Sequence, residues 1–269
     1  MRTSVIMGVY NPSNEKQLLQ AVDSIIEQTM PDWEMIICDD GSDISYQGLY
    51  HKIAAKDSRI MLVRNERQRG LASALNKCLG IAKGKYIARM DADDIAKANR
   101  LEKQCQFLDE YGEYQWVGSN AELIDEKGVW GVEIREVTPG ERAFLKYSPY
   151  IHPSVVFRAD VLIDNKGYKV AKETTRCEDY ELFMRLSQKG LKGFNIQECL
   201  LQYREDYHSY NRRKYSYRIQ EVKVRFKGFK KLGIMNIMTI PYVLKPLFVG
   251  IIPTKMMRWR RKVLNNDAS

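Results

Sequence analysis

Histidine and cysteine are scarce in this chain, three and five among 269 residues. No CxxC pair occurs, and Cys38, Cys78, Cys105, Cys177 and Cys199 have no histidine grouped with them, so a zinc site is not supported. The odd number without framework spacing excludes a disulfide scaffold and fits a reduced, cytosolic compartment. Missing too is an uninterrupted apolar run of about 18 residues, the length a membrane-spanning helix needs. The nearest candidate, 234–253, is broken by Pro241, Lys245, Pro246 and Gly250. Asn11-Pro12 stops the first apolar run too early for a signal-peptide core. Three nucleotide-site and nucleophile signatures are also absent. No G-x-G-x-x-G follows the first strand, no G-x-x-x-x-G-K-[ST] occurs, and no G-x-S-x-G elbow occurs. Dinucleotide oxidoreductases, P-loop NTPases and α/β-hydrolases are thereby disfavoured.

Acidic residues are scarce in one place only. From Tyr203 onward there are 16 Lys/Arg against 4 Asp/Glu, whereas the preceding chain has 27 against 30. The net charge of +9 therefore belongs to the last quarter, which argues for a basic tail with its own partner and against a nucleic-acid binder.

What is present is an alternation of strand and helix signals. Thr3–Val9, Met35–Cys38, Arg59–Val63 and Lys85–Met90 have the composition of buried strands. Between them, Leu18, Leu19, Val22, Ile25 and Ile26, then 71–82, repeat at helical spacing, with Gly84 as a stop. This predicts an α/β fold, a doubly wound, mostly parallel sheet flanked by helices. Further on, 100–111 is predicted helical, 116–124 a strand closed by a hairpin turn at 125–128, 139–147 a helix, 154–157 a strand and 180–186 a helix. Ile219, Val222, Phe226 and Phe229 form one apolar stripe in a last helix among Lys and Arg.

Open parallel sheets bind ligands at the carboxyl ends of their strands. Three such ends carry polar clusters here: Tyr10-Asn11, Asp39-Asp40 and Asp91–Asp94. In Asp91-Ala92-Asp93-Asp94, strand alternation puts Asp91 and Asp93 on one side and Asp94 on the other, where Asp94 could cap the next helix. Two adjacent carboxylates repel unless a cation lies between them, and an all-oxygen set suits Mg²⁺ or Mn²⁺. Phosphate contacts then fall to the metal and to basic side chains such as Arg67 or Arg69.

The motifs Val5-Ile-Met-Gly-Val-Tyr-Asn11, Ile25-Ile-Glu-Gln-Thr29, Cys38-Asp-Asp-Gly-Ser42, Gly70-Leu-Ala-Ser-Ala-Leu-Asn76, Gly84-Lys-Tyr-Ile-Ala-Arg-Met-Asp-Ala-Asp-Asp94 and Glu178-Asp-Tyr180 occur in that order. The ordered set resembles family 2 glycosyltransferases, inverting enzymes of GT-A fold, and especially short bacterial ones that build surface polysaccharides. The resemblance covers 1–205, divided into a nucleotide-binding half, 1–98, and an acceptor half, 99–205. It implies a nucleotide-sugar donor, with a UDP-sugar expected, and a glycan or polyprenyl-linked glycan acceptor.

The resemblance also implies roles. Gly8, Tyr10, Asn11, Asp39, Asp40, Arg67, Asp91 and Ala92 fall at donor-contacting positions, with Asp40 matching the base-contacting aspartate; at Gly8 some relatives have Thr or Pro. Asp91 and Asp93 match the D-x-D metal motif, Asp93 as the direct ligand. Asp179 matches the general base, a role that a rigid carboxylate at a helix start, largely ionised, can fill. His152 in Ile151-His-Pro-Ser154, Glu178 and Arg204 are candidates for contacts with acceptor or diphosphate, His152 alternatively as a further metal ligand, and Tyr203, Arg204 and His208 for closure over the phosphates. A catalytically silent, sugar-nucleotide-binding partner of another transferase is the competing reading, and intact Asp91, Asp93 and Asp179 argue against it. A nucleotidylyltransferase lacks the Gly-rich basic loop it needs after the first strand.

The remainder, 206–269, combines apolar, aromatic and basic residues, ending in Met256-Met-Arg-Trp-Arg-Arg-Lys262. That pattern suits a segment lying on an anionic membrane surface, with Lys255, Arg258, Arg260, Arg261 and Lys262 at the headgroups and Trp259 and Ile251 inserted. A helix packed on the domain with a solvated basic face is the alternative. The expected location is cytoplasmic, peripheral on the inner face of the cell membrane.

Overall fold

The computed structural model describes residues 1–205, 215–253, 255–257 and 260–261. Its first half follows the alternation. β1 (Thr3–Val9) and β2 (Trp33–Asp39) are buried along their length, because helices cover both faces of the sheet. Between them runs α1 (Glu15–Ile26), whose N-cap Asn14 accepts from the N–H groups of Lys16 and Gln17. α2 (Gln47–Ala54), β3 (Ile60–Arg64), α3 (Leu71–Leu79) and β4 (Tyr86–Arg89) complete a parallel run in the spatial order β3-β2-β1-β4. The strand order reverses between β1 and β4, and such a switch point opens a crevice at the carboxyl edge.

The second half is mixed. The two-residue β5 (Ile95–Ala96) leads through α4 (Arg100–Glu110) to the long β6 (Tyr114–Asp125), which turns back as β7 (Gly128–Glu133). β8 (Val156–Arg158) is antiparallel to both β4 and β6 and joins the halves. After α5 (Ala159–Asp164) and α6 (Glu178–Gln188), β9 (Lys192–Arg204) runs parallel to β6 and antiparallel to β5. Among the described residues all the strands form one sheet, so the parallel character belongs to the first half and to the β6–β9 pair. The helix expected over 139–147 shortens to a 3₁₀ turn, Glu141–Leu145.

The basic segment is packed on the domain along one face. α7 (Tyr215–Lys231) buries Val224, Arg225 and Phe229, and α8 (Ile240–Val249) buries Val243 and Pro246. The predicted stripe is half right: Phe229 is buried and Val222 partly so, but Ile219 and Phe226 are exposed. Arg225 explains the rotation. Its guanidinium lies 2.9 Å from Glu221, donates to the Leu145 carbonyl at 3.0 Å, and sits 5.0 Å over the Tyr180 ring, which draws that face inward. Arg261, assigned from sequence to the headgroups, pairs instead with Glu133 at 2.5 Å and Glu205 at 3.0 Å. Arg258, Trp259, Lys262 and His208 lie outside the described residues.

Candidate active site

The register of β1 on β2 places Gly8 beside Cys38 and Val9 beside Asp39, so the two following loops meet. Asn11, at φ 39°, holds the left-handed conformation that asparagine tolerates. Its side chain donates to Asp43 Oδ2 at 3.1 Å and accepts from the Asp43 N–H at 2.9 Å, while its own N–H donates to Ser42 Oγ at 2.9 Å. Asp39 accepts from the Ser42 N–H at 2.7 Å and pairs with Arg64 at 2.8 Å. Asp40 accepts from Asn65 Nδ2 at 2.7 Å, the Arg69 N–H at 3.0 Å and the Gly70 N–H at 2.7 Å. Both carboxylates are buried and hold the loop walls together; Asp40 in particular is occupied with the 65–70 loop. Gly41 lets that loop approach: at φ 78°, a Cβ there would stand 2.5 Å from the Arg67 carbonyl carbon. Arg67 itself is exposed, as is Tyr10, so these two side chains border the wall from outside.

Gly8, placed by resemblance among donor contacts, has a packing task. A Cβ on it would come within 2.9 Å of Leu71 Cδ1 and 3.0 Å of Ala74 Cβ, so the missing side chain lets α3 lie on β1.

β4 ends at Arg89, and a turn through Ala92 and Asp93 brings Asp91, Asp93 and Asp94 together. One ligand oxygen from each lies within 4.8 Å of the others. This corrects the expectation that Asp94 faces away: strand alternation stops at Arg89. Asp94 does not cap a helix either, since α4 begins only at Arg100. Its Oδ1 accepts from the Arg204 N–H at 2.7 Å, and Arg204 Nε donates to the Asp93 carbonyl at 2.8 Å. Arg204 therefore positions the acidic turn from β9. Asp94 Oδ2 is buried without a hydrogen-bond partner, and burial together with the charges of Asp93 and Asp91 raises this carboxyl well above its ordinary pKa. A hard divalent cation fits this donor set and offsets its repulsion.

Beside the turn sits a residue that motif reading passed over. Arg89 is buried, and its Nη1 lies 2.6 Å from Asp91 Oδ2. Burial pulls its pKa down, but the Asp91 charge and hydrogen bond outweigh that and hold the guanidinium protonated. Arg100, fully buried on α4, donates to the Arg89 carbonyl at 2.8 Å and supports the strand end from beneath. The available signal was a lone cation in the apolar run Tyr86-Ile-Ala-Arg89.

At the start of α6 stand Glu178, buried, and Asp179, half-buried. Burial, then the Asp179 charge, pushes Glu178 up to about 7. Asp179 is also raised by burial, although helix N–H groups, Arg89 and a Ser148 hydrogen bond pull it back. At Asp179 desolvation outweighs the helix-start N–H groups that favour its ionised form. His152, in the 3₁₀ turn His152–Ser154, shares a 2.8 Å hydrogen bond with the Tyr168 hydroxyl. Burial and the Arg89 charge hold its pKa well below normal, so it is neutral, and it stands outside the acidic group. Tyr168 is a further buried polar residue here that sequence reasoning missed.

A parallel half-sheet with a carboxylate turn at its switch point, abutting a mixed half that supplies a carboxylate from a helix start, defines a transferase of GT-A fold. The model of Glycosyl transferase family 2 matches residues 4–210, and the chain belongs to that family. It is 36% identical over 268 residues to "Putative glycosyltransferase EpsE" of Bacillus subtilis, covering 99% of this chain and 95% of that one. It is 30% identical to the Escherichia coli "UDP-Glc:alpha-D-GlcNAc-diphosphoundecaprenol beta-1,3-glucosyltransferase WfaP", covering 86% of each. Among solved structures, S. aureus TarS 1-349 in complex with UDP-GlcNAc superposes with a TM-score of 0.68 at 17% identity, covering 92% of this chain and 72% of that one. This chain is a glycosyltransferase of polysaccharide synthesis.

Proposed function

We propose that the protein is an inverting, metal-assisted hexosyl- or N-acetylhexosaminyltransferase that moves a sugar from a UDP-sugar to a polyprenyl-linked glycan. Such a glycan would be a precursor of capsule or lipopolysaccharide. One observation carries this reading. The acidic turn 91–94, which can take the metal of a sugar diphosphate, and the Asp179 carboxylate both lie within the electrostatic reach of one buried residue, Arg89. The WfaP name, with its UDP-sugar and diphosphoundecaprenol-linked acceptor, supports the choice of donor and acceptor class.

Tyr10 and the Asp39–Ser42 wall would receive the uridine, with Arg67 at its rim. Asp91, Asp93 and Asp94 would hold Mn²⁺ or Mg²⁺, which when bound neutralises charge on the departing diphosphate. Asp179 accepts the proton of the acceptor hydroxyl as that oxygen attacks the anomeric carbon. The bond from that carbon to the diphosphate breaks with its electron pair leaving on UDP, and the configuration inverts. A base whose pKa burial raises is better matched to this task near neutral pH than a fully solvated aspartate. Glu178, with a pKa of about 7, stands beside it as a second proton site.

The acceptor class also sets the place of work. A polyprenyl-linked glycan stays in the membrane, so we place the enzyme on the inner face of that membrane, reached through its basic C-terminal segment. No helix among the described residues is long and apolar enough to cross it. The test is a donor screen: UDP-sugars, each with Mn²⁺, scored by thermal stabilisation and then by transfer to a diphospholipid-linked acceptor. Stabilisation by none of them, or identical stabilisation in chelator, would overturn the donor and metal assignments.

A further inference from the structure

We infer that the outer face of α8, with the turn before it, is the surface of this protein that enters an anionic lipid bilayer. The inference rests on the membrane placement above and names the side chains that make the contact.

Two observations carry it. The first is apolar exposure on a rigid support. Ile237 and Met238 are each 81% exposed, Phe248 66% and Ile251 72%. Ile240, Leu244 and Phe248 follow at intervals of four, which places them in one stripe along the helix, and Ile251 stands exposed in the turn just past its end. The opposite face is pinned: Val243 and Pro246 are buried, Lys245 Nζ donates to the Lys146 carbonyl at 2.8 Å, and Arg225 reaches the Tyr242 carbonyl at 3.3 Å. Ile237 and Met238 are held outward by a capping box, in which Asn236 accepts from the Met238 N–H at 2.9 Å and donates its own N–H to Thr239 Oγ1 at 2.8 Å. A free loop could fold such side chains inward. This capped turn presents them to whatever lies outside.

The second observation is charge. Positions 222–266 carry eleven Lys/Arg and no Asp/Glu. Among the described residues of that stretch Lys223, Lys227, Lys230, Lys231, Lys255 and Arg260 are exposed. An exposed apolar stripe within a segment of one sign of charge matches an interface of apolar chains beneath anionic headgroups. A second copy fits poorly, since a two-fold contact across this face would set one basic segment against the other. Spanning is excluded by length: ten residues of helix extend about 15 Å, half of a hydrocarbon core. The helix therefore lies in the interface. It is also tied to the chemistry, because Arg225 touches α8 and lies over Tyr180, the residue after Asp179. Docking α8 on lipid thus fixes the proposed base at a set height above the membrane, where a lipid-linked hydroxyl is presented.

The experiment is co-sedimentation of the full chain with vesicles of equal parts phosphatidylglycerol and phosphatidylcholine, or of phosphatidylcholine alone. Wild type is expected on the anionic vesicles only. Met238→Glu and the double change Phe248→Glu with Ile251→Glu are expected to weaken binding about tenfold or more while keeping the wild-type UDP-dependent thermal shift. Those positions are solvent-exposed, so folding survives their change. If wild type binds and these variants bind equally well, the α8 face is not the contact, although the membrane placement stands. If wild type ignores anionic vesicles at low salt, the membrane placement itself fails. A wild-type dimer without lipid that the same changes dissolve would assign the face to a second copy and overturn the inference.

Discussion

Arg89 Nη1 stands 2.6 Å from Oδ2 of Asp91, with the guanidinium side chain only 3% exposed. A buried cation is expensive unless paired, and here one partner belongs to the turn proposed to hold the metal. The same positive charge bears on Asp94, Glu178, Asp179 and the Tyr168 hydroxyl, from three separate stretches of chain. Arg89 therefore couples the acidic turn electrostatically to the carboxyls at the start of α6.

Metal dependence is the first expectation. With UDP at a hundredfold excess over Kd, binding linkage contributes about 2.7 kcal/mol of stability. Differential scanning fluorimetry should show that gain with Mn²⁺ and little of it in chelator. Asp93→Ala should remove most of it. Equal UDP stabilisation with and without Mn²⁺ in wild type would contradict a role for the acidic turn as ligand.

Asp179→Asn keeps shape and burial but cannot take a proton. Turnover should fall by roughly 10²–10⁴ with UDP affinity nearly unchanged. Isothermal titration with UDP separates the two quantities. A variant retaining a third of wild-type turnover would exclude Asp179 as the base.

Glu178 predicts an unusual pH response. Its pKa rises on folding, from the ordinary 4.5 to about 7, so the folded state binds more protons between those values. Stability contributed by the protonated form is present at low pH and lost as pH climbs through that window. Glu178→Gln should therefore stabilise the ligand-free protein by about 1–3 kcal/mol at pH 8, with the gain vanishing near pH 4. Thermal melts of the two proteins across that range test it, and a gain that is constant with pH would refute the assignment.

Much of this site could be read from the chain because its residues sit directly after apolar runs. Tyr10, Asp40 and Asp91 each follow a buried strand, and parallel topology delivers such positions to one edge. Arg89 and Tyr168 were not legible in the same way. Arg89 looks like an interruption of a strand, and only the placement of the His152 turn and of the α6 carboxyls around it shows what its charge meets. Asp94 was misplaced for a local reason, the end of strand geometry one turn too early. The face of α7 depended on Arg225 finding Glu221, Leu145 and Tyr180, which are contacts no periodicity carries.

Gly8 offers a test of packing against ligand contact. Gly8→Val adds a branched side chain where a Cβ alone would lie 2.9 Å from Leu71 Cδ1. Overpacking of this kind costs about 1–3 kcal/mol. The expected result is a lower Tm in the absence of any nucleotide. Unchanged stability with a loss of UDP binding would return Gly8 to the donor site.

The last expectation concerns Arg89 itself. Its charge lowers the pKa values of both Glu178 and Asp179, against the burial that raises them. Arg89→Met keeps much of the side-chain volume and removes that charge, so both carboxyls should move further up. A base must be ionised to act, so the acid limb of the kcat/KM profile should shift to higher pH in the variant. Turnover at pH 7 should fall and partly recover by pH 9, which a misfolded or merely loosened protein would not do. Arg89→Lys retains a cation at the same place and should leave the limb nearer its wild-type position. If Arg89→Met lowers activity by the same factor at every pH, its charge acts on the Asp91 turn alone. The coupling to Asp179 would then be absent.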